Sequence, residues 1–298
     1  MPDRSADTVG TLVGMDSSER YLHAAVAASA VVIRDYSTSF SLAARMMPCR
    51  VRDHITSIYG LVRVADEIVD GACPTDPRAH LDALEASVEA AISDGFSANL
   101  VVHAFAATAR ATGFGTELTR PFFASMRADL TPASHTPESL AAYIHGSAEV
   151  VGLMCLRAYL YGVPASSRPA RSAPGAGSDY ERLAPDAARL GAAFQKVNFL
   201  RDLTDDELRL GRAYLPELTQ QAFDDALDDA AADLAAGRAG IARLPRDVQR
   251  GVRAAADLYG ELVRRLRSAG LDGARSGRVR VPTTAKATVL ARSVVAPQ

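Results

Sequence analysis

Two pairs of aspartates, Asp66 with Asp70 and Asp202 with Asp206, each stand four residues apart in segments that otherwise read as apolar helix. Residues i and i+4 project from one helical face, so each pair sets two like charges together at a cost of roughly a few tenths of a kcal/mol. Carboxylate oxygens, with water and phosphate oxygens completing the shell, are what Mg²⁺ prefers, and Mn²⁺ accepts the same ligands. Two such pairs facing each other would clamp metal ions against a diphosphate. Arg63 and Arg201 precede the pairs and Arg212 follows the second, and guanidinium groups suit phosphate oxygens. Asn198 stands one turn before the second pair.

Spacing alone is weak, because acids at i and i+4 near basic residues usually form a solvated helix face. The chain contains its own control. Asp224 with Asp228 and Asp225 with Asp229 repeat the spacing among small alanines, without preceding arginine, Asn or bulky apolar neighbours, and read as exposed surface. Company rather than spacing distinguishes the first two pairs, the second of which is followed by "GRAYLP" at 211–216.

The elements that must position these residues are helices. Apolar residues recur at helical spacing, as in Ile55, Ile58, Tyr59, Val62 and Val69, and sustained alternation at period two is absent. The pattern predicts an all-α chain with helices near 18–34, 39–46, 50–70, 77–93, 98–112, 116–130, 137–162, 180–208, 219–236, 244–268 and 284–295. Asp76-Pro77 and Thr136-Pro137 each set a capping oxygen before a proline suited to a first turn, which marks two helix starts. Residues 162–180, rich in Pro, Ser, Gly and Ala, read as a mobile excursion within one domain spanning 16–298, and residues 1–15 as a loose N-terminal segment.

At 298 residues, 48% hydrophobic and 23% charged, the chain can bury a sizeable core. A formal net charge of -2 with no clustered basic face argues against nucleic acid as a partner. Three cysteines without CxxC spacing argue against a zinc site or a disulfide framework, so a reducing cytoplasm is expected. The N-terminus lacks the apolar core of a secretory signal, and the apolar run 24–33 is shorter than the roughly 18 residues a membrane span needs. The six histidines are scattered, and none is assigned a catalytic role.

With these motifs in order, the sequence resembles the squalene/phytoene synthase family. "YSTSFSLAARMMP" (36–48) is similar to its opening motif and "YGLVRVADEIVD" (59–70) to its first aspartate-rich motif. "AFQKVNFLRDLTDDELRLGRAYLP" (193–216) is similar to the second, and "YIHGSAEVVGLM" (143–154) to the segment between them. The resemblance implies an isoprenoid synthase fold, one helical bundle around a deep central cavity with aspartates at its mouth. Asp66, Asp70, Asp202 and Asp206 would hold Mg²⁺. Gln195, Asn198, Arg63, Arg201 and Arg212 would order phosphates and metal-bound water, and Ser37 and Ser39 would stand near the diphosphate. Without the motif, these serines read as a helix cap. Tyr36, Phe40, Tyr143, Phe194 and Tyr214 are candidates for the cavity wall, with core packing the alternative for each. Tyr143 and Tyr214 are the stronger candidates for a catalytic role, and Tyr143 would also hydrogen-bond a leaving group.

The wording of "ADEIVD", "NFLRD" and "GRAYLP" is closest to the bacterial phytoene synthases, which implies condensation of two geranylgeranyl diphosphates to phytoene through a cyclopropylcarbinyl diphosphate, without NADPH. Lys196, Glu149 and the 162–180 excursion depart from the usual pattern. They keep open a squalene or dehydrosqualene synthase using farnesyl diphosphate, or a terpene cyclase on the same scaffold. A non-catalytic helical assembly protein is the alternative of another class, and retention of all four aspartates argues against it. The expected setting is cytoplasmic, with transient peripheral contact with a membrane through which a hydrocarbon product leaves. Oligomeric state is not legible.

Overall fold

The computed structural model describes residues 15–71, 73, 75–131, 135–164, 167, 178–203 and 218–295, and among these it contains helices and no strand. In chain order they are α1 (Ser17–Tyr36), α2 (Thr38–Arg45), α3 (Cys49–Asp70), α4 (Pro77–Asp94), α5 (Leu100–Thr112) and α6 (Thr116–Ala128). Next come α7 (Pro137–Ile144), a π-helical turn (His145–Glu149) and α8 (Val150–Leu160), which form one continuous run. The rest are α9 (Asp179–Arg201), α10 (Gln220–Gly240), a 3₁₀ turn (Ile241–Arg243), α11 (Arg246–Ser276) and α12 (Thr283–Val295).

Local chemistry sets the starts. Asp76 accepts from Ala79 N ahead of Pro77, and Thr136 accepts from Ser139 N ahead of Pro137, as the sequence predicts. Capping boxes open α1 (Asp16 with Glu19) and α9 (Ser178 with Glu181). Ser37 caps α2, taking a 3.2 Å hydrogen bond from Phe40 N.

Several boundaries and one helix interior differ from expectation. The helix predicted to run to 208 stops at Arg201, and Asp202 is its C-cap, with φ -106° and ψ 13° outside the helical region and its backbone N–H still donating to the Asn198 carbonyl. The helix predicted to end at 268 passes a kink at Gly270 (φ 65°) and resumes to Ser276. The run expected over 137–162 carries the π-helical turn at its middle. By length and composition Pro137–Leu160 is long and apolar enough to cross a bilayer, although the 24–33 run is not; here it packs on α6, α3 and α9.

α3 and α9 form the centre. α3 packs on α1, α5 and α8, while α9 packs on α8, α10 and α11. Ile58, Leu61 and Ala65 of α3 and Ala193, Val197 and Leu200 of α9 are buried in one continuous core. α8 lies against both, and its crossing with α9 is close: a Cβ on Gly191 would stand 2.5 Å from the Ala148 carbonyl oxygen, and one on Gly152 2.6 Å from that of Ala187. Two glycines therefore let the helix carrying the second motif lie against the 143–154 segment. Residues 1–14 and most of 162–180 lie outside the described residues.

Candidate active site

Apolar positions of α3 at 55, 58, 61 and 65 bury one face, which leaves the last two turns to present Arg63, Asp66, Glu67 and Asp70, all half-buried. The Arg63 Nη1 lies 3.7 Å from Asp66 Oδ2, and its Nη2 closes on Glu67. Its guanidinium also sits 4.5 Å from the Tyr36 ring centroid. Glu67 was not singled out in the sequence, although its i+4 spacing from Arg63 signals the pair. Tyr36, expected on a cavity wall, is 54% exposed and lines an open groove of about 390 Å³ with Val32, Arg63, Val64, Glu67 and Ile68.

A row of aromatic rings runs from this helix to the second motif. Phe40 of α2 lies 5.6 Å from Tyr59 of α3 and 6.4 Å, edge on, from Phe194 of α9. Phe194 stacks on Tyr259 of α11 at 3.9 Å. The Tyr259 hydroxyl donates to Asn198 Oδ1 at 3.3 Å, and Tyr59 shares a hydrogen bond with Ser37. Burial, above all, raises the pKa of both tyrosines; Arg63, Asp66 and Tyr259 perturb Tyr59, and Arg201, Asp202 and Arg278 perturb Tyr259. Neither tyrosine was identified as a site residue from sequence, and Tyr259 has no local signal because it comes from a helix outside the motifs.

At the end of α9, Asp202 Oδ1 accepts from Arg201 Nε at 2.9 Å and from Arg278 Nε at 2.8 Å, and its Oδ2 accepts from Arg201 Nη2. Arg278 follows α11 and was also missed. Gln195, Asn198 and Asp202 follow one another at helical spacing along α9. Lys196 faces away from them, reaching Asp233 of α10 at 2.6 Å and also Asp229. Asp233 is 2% exposed and takes Arg189 as well. The aspartates expected on the α10 surface are exposed or half-exposed, and Gln220, Gln221 and Arg267 bind three of them.

Tyr143 is buried in a small cluster with Ile144, Ala192 and Phe199, separate from the main core, and its hydroxyl donates to Asp129 Oδ2 at 2.7 Å. Ser39 belongs to α2. Asp206, Arg212 and Tyr214 lie outside the described residues. Among the described residues, no group of three or more His, Cys, Asp or Glu side chains converges as a metal centre. The available donors are nevertheless the hard carboxylate oxygens of Asp66, Asp70 and Asp202, a set whose chemistry fits Mg²⁺.

Comparison with known proteins matches residues 33–285 to the squalene/phytoene synthase family model. The 15-cis-phytoene synthase of Paracoccus sp. is 31% identical over 199 residues, which cover 64% of this chain and 60% of the relative. The phytoene synthase of Arthrospira platensis is 32% identical over 189 residues, covering 62% of this chain and 59% of the relative. The matched part of the chain thus spans about three fifths of these curated relatives' length. Among solved structures, a dehydrosqualene synthase superposes with TM-score 0.77 at 20% identity, covering 93% of this chain and 98% of its own. A squalene synthase from Alicyclobacillus acidocaldarius gives 0.69 at 21% identity, covering 83% and 94%. These two establish the all-α isoprenoid synthase fold. With the family motifs matched across most of its length, the chain belongs to the squalene/phytoene synthase family, whose members are prenyltransferases.

Proposed function

We propose that this chain joins two geranylgeranyl diphosphates head to head to form phytoene. One observation carries the reading: the aromatic row from Tyr59, on the same helix as Asp66 and Asp70, through Phe40 and Phe194 to Tyr259 leads to Asn198, one turn before Asp202 at the end of α9. Likeness to the phytoene synthases supports the choice of substrate and product.

Asp66, Asp70 and Asp202, with Asp206 beyond the described residues, would hold Mg²⁺ or Mn²⁺. Bound there, the ions would neutralise charge on a departing diphosphate. Arg63 and Arg201 would donate hydrogen bonds to phosphate oxygens, and Asn198 would orient them. Breaking one allylic C–O bond releases diphosphate and leaves an allylic cation. The double bond of the second substrate attacks this cation, and proton loss closes a cyclopropylcarbinyl diphosphate. A second ionisation, rearrangement and proton loss give the linear hydrocarbon, with no reductant consumed.

The aromatic faces of Phe40, Phe194, Tyr59 and Tyr259 suit a cationic path, each stabilising positive charge by about 0.5–2 kcal/mol. Burial raises the pKa of Tyr59 and Tyr259, so both stay neutral near pH 7 and offer no phenolate to trap the cation. A cytoplasmic setting with transient membrane contact during product release belongs to the same proposal.

The test is purified chain with Mg²⁺ and either the C20 or the C15 diphosphate, with and without NADPH. A C40 hydrocarbon formed without NADPH is expected. Consumption of farnesyl diphosphate to a C30 product, or a single cyclic C15 or C20 product, would overturn the assignment.

A further inference from the structure

We propose that the end of the bundle opposite the aspartates docks on an anionic lipid bilayer through the arginines at the start of α11. The inference rests on the membrane contact included in the proposed function and not on which hydrocarbon is made.

Helix directions sort the charges. Arg50, near the start of α3, donates through Nε and Nη2 to Asp247 at the start of α11, at 2.9 and 2.8 Å. Its Nη1 donates to the carbonyls of Tyr159 and Tyr161 at the end of α8. Those three termini therefore share one end of the bundle. α8 and α9 run antiparallel, with Ala148 opposite Gly191 and Ala187 opposite Gly152. α9 and α10 do so too, with Lys196 on Asp229 and, just past α10, Arg243 on Asp186. The ends of α3 and α9 and the start of α10 thus lie at the other end, which carries Asp66, Asp70, Asp202, Asp225, Asp228 and Asp229.

Arg246, Arg250, Arg253, Arg264 and Arg267 recur at helical spacing and form one stripe along α11. At the aspartate end, Arg264 is taken up by Glu261 and Arg267 by Asp228. At the other end Arg246 and Arg250 are exposed and Arg253 half-buried, and among the described residues none of the three meets an acid. Arg45, also exposed, and Arg52 join them from around the turn between α2 and α3, where Met47 lies against Gly251 of α11. Asp247 and Asp186 are already held by Arg50 and Arg243, and Asp53 offsets one of the remaining charges. Arginines in the first turns of α3 and α11 oppose the helix dipoles, so helix stability does not account for them. An anionic surface outside reverses that cost.

Tyr161, 43% exposed, stands beside these arginines where Arg50 holds its carbonyl. An aromatic ring with one polar end suits the lipid headgroup boundary. With a formal net charge of -2, attraction to any polyanion depends on orientation, which a flat surface imposes on the whole molecule. The aspartate end is repelled by the same surface and turns toward water. Docked this way, the carboxylates stay open to metal ions from solution.

The test is sedimentation of the full chain, without substrate, with vesicles of phosphatidylcholine alone or mixed equally with phosphatidylglycerol. Binding to the mixed vesicles only, falling as salt rises, is expected. Arg246→Gln/Arg250→Gln should weaken it about 25-fold, or about fivefold for each arginine. Arg264→Gln/Arg267→Gln, equal in charge but at the other end of the same helix, should stay near the unmodified value. Circular dichroism confirms folding of each. The chain has no tryptophan, so Tyr161→Trp gives a single reporter at the docking end and Tyr36→Trp one at the aspartate end. With mixed vesicles the first should shift its emission to the blue and the second should not. Absent or salt-independent binding, equal binding to both vesicles, equal loss in the two arginine variants, or a blue shift from Tyr36→Trp would overturn the docking surface. Tighter binding to duplex DNA than to mixed vesicles would overturn lipid as the partner. Phytoene formed alongside any of these results leaves the proposed chemistry standing, and docking without product removes the chemistry alone.

Discussion

The phenol of Tyr143 donates a 2.7 Å hydrogen bond to Oδ2 of Asp129, the residue that caps the C-terminus of α6. Its one proton is therefore directed to a carboxylate, and in this arrangement the phenol oxygen faces any further partner as an acceptor. A hydrogen bond to a charged group contributes about 1.5–3 kcal/mol. Tyr143→Phe and Asp129→Asn should each lower unfolding free energy by about that amount. In the double variant the losses should fall short of additivity by about 1 kcal/mol or more, as measured by urea denaturation. Strict additivity would show that the pair does not act as a unit.

Asp66→Asn and Asp202→Asn keep size and shape while removing a carboxylate from the donor set. Each should reduce product formation about 100-fold or more, with the helical circular dichroism unchanged. Full turnover in either variant would remove that residue from the site.

The α8–α9 crossing depends on two missing side chains. Gly191→Ala would press a methyl against the Ala148 carbonyl oxygen at 2.5 Å, a contact with backbone that no rotamer relieves. The expected loss is about 1–3 kcal/mol of stability. Because α9 also carries Asn198 and Asp202, turnover should fall as well. An unchanged urea midpoint would show that the helices separate freely.

Lys196 belongs to the second motif by sequence but serves the α9–α10 interface. Burial opposes its charge, yet hydrogen bonds to Asp229 and Asp233 outweigh that and raise its pKa. Lys196→Met should cost about 1–3 kcal/mol, less than the 3–5 kcal/mol of an orphaned buried charge, because Arg189 still neutralises Asp233. Turnover at a temperature where the variant is folded should be unchanged. A large loss of activity there would bring the ammonium back into the site.

Two histidines set an acid limit. His54 bridges α3 to Thr108 of α5, with Nδ1 3.1 Å from the hydroxyl, and the buried His103 accepts from Ser97 N at 3.3 Å. Burial, above all, lowers both pKa values below the ordinary 6.5. The unfolded chain then binds protons more readily than the folded one. The stabilisation is complete above about pH 6.5 and is lost as pH falls through the depressed folded-state values. The melting temperature should drop over that range, less steeply in a His54→Gln/His103→Gln variant. Parallel curves would contradict this.

The sequence by itself determined the helical class, the capped starts at Asp76-Pro77 and Thr136-Pro137, and the shared face of Asp66 and Asp70. Those features depend on bonds and side-chain neighbours within a turn or two, so the order of residues contains them. It also made the family motifs readable. Tertiary structure alone decided that Asp202 ends a helix held between Arg201 and Arg278, that Tyr259 completes the aromatic row, that Asp129 accepts the hydrogen bond of the Tyr143 hydroxyl, and that Lys196 turns to α10. In most of these pairings the partner comes from another helix or from the segment after α11. They form because packed faces bring distant backbone together and long charged side chains then find the nearest compensating group, a choice set by distance in space rather than along the chain.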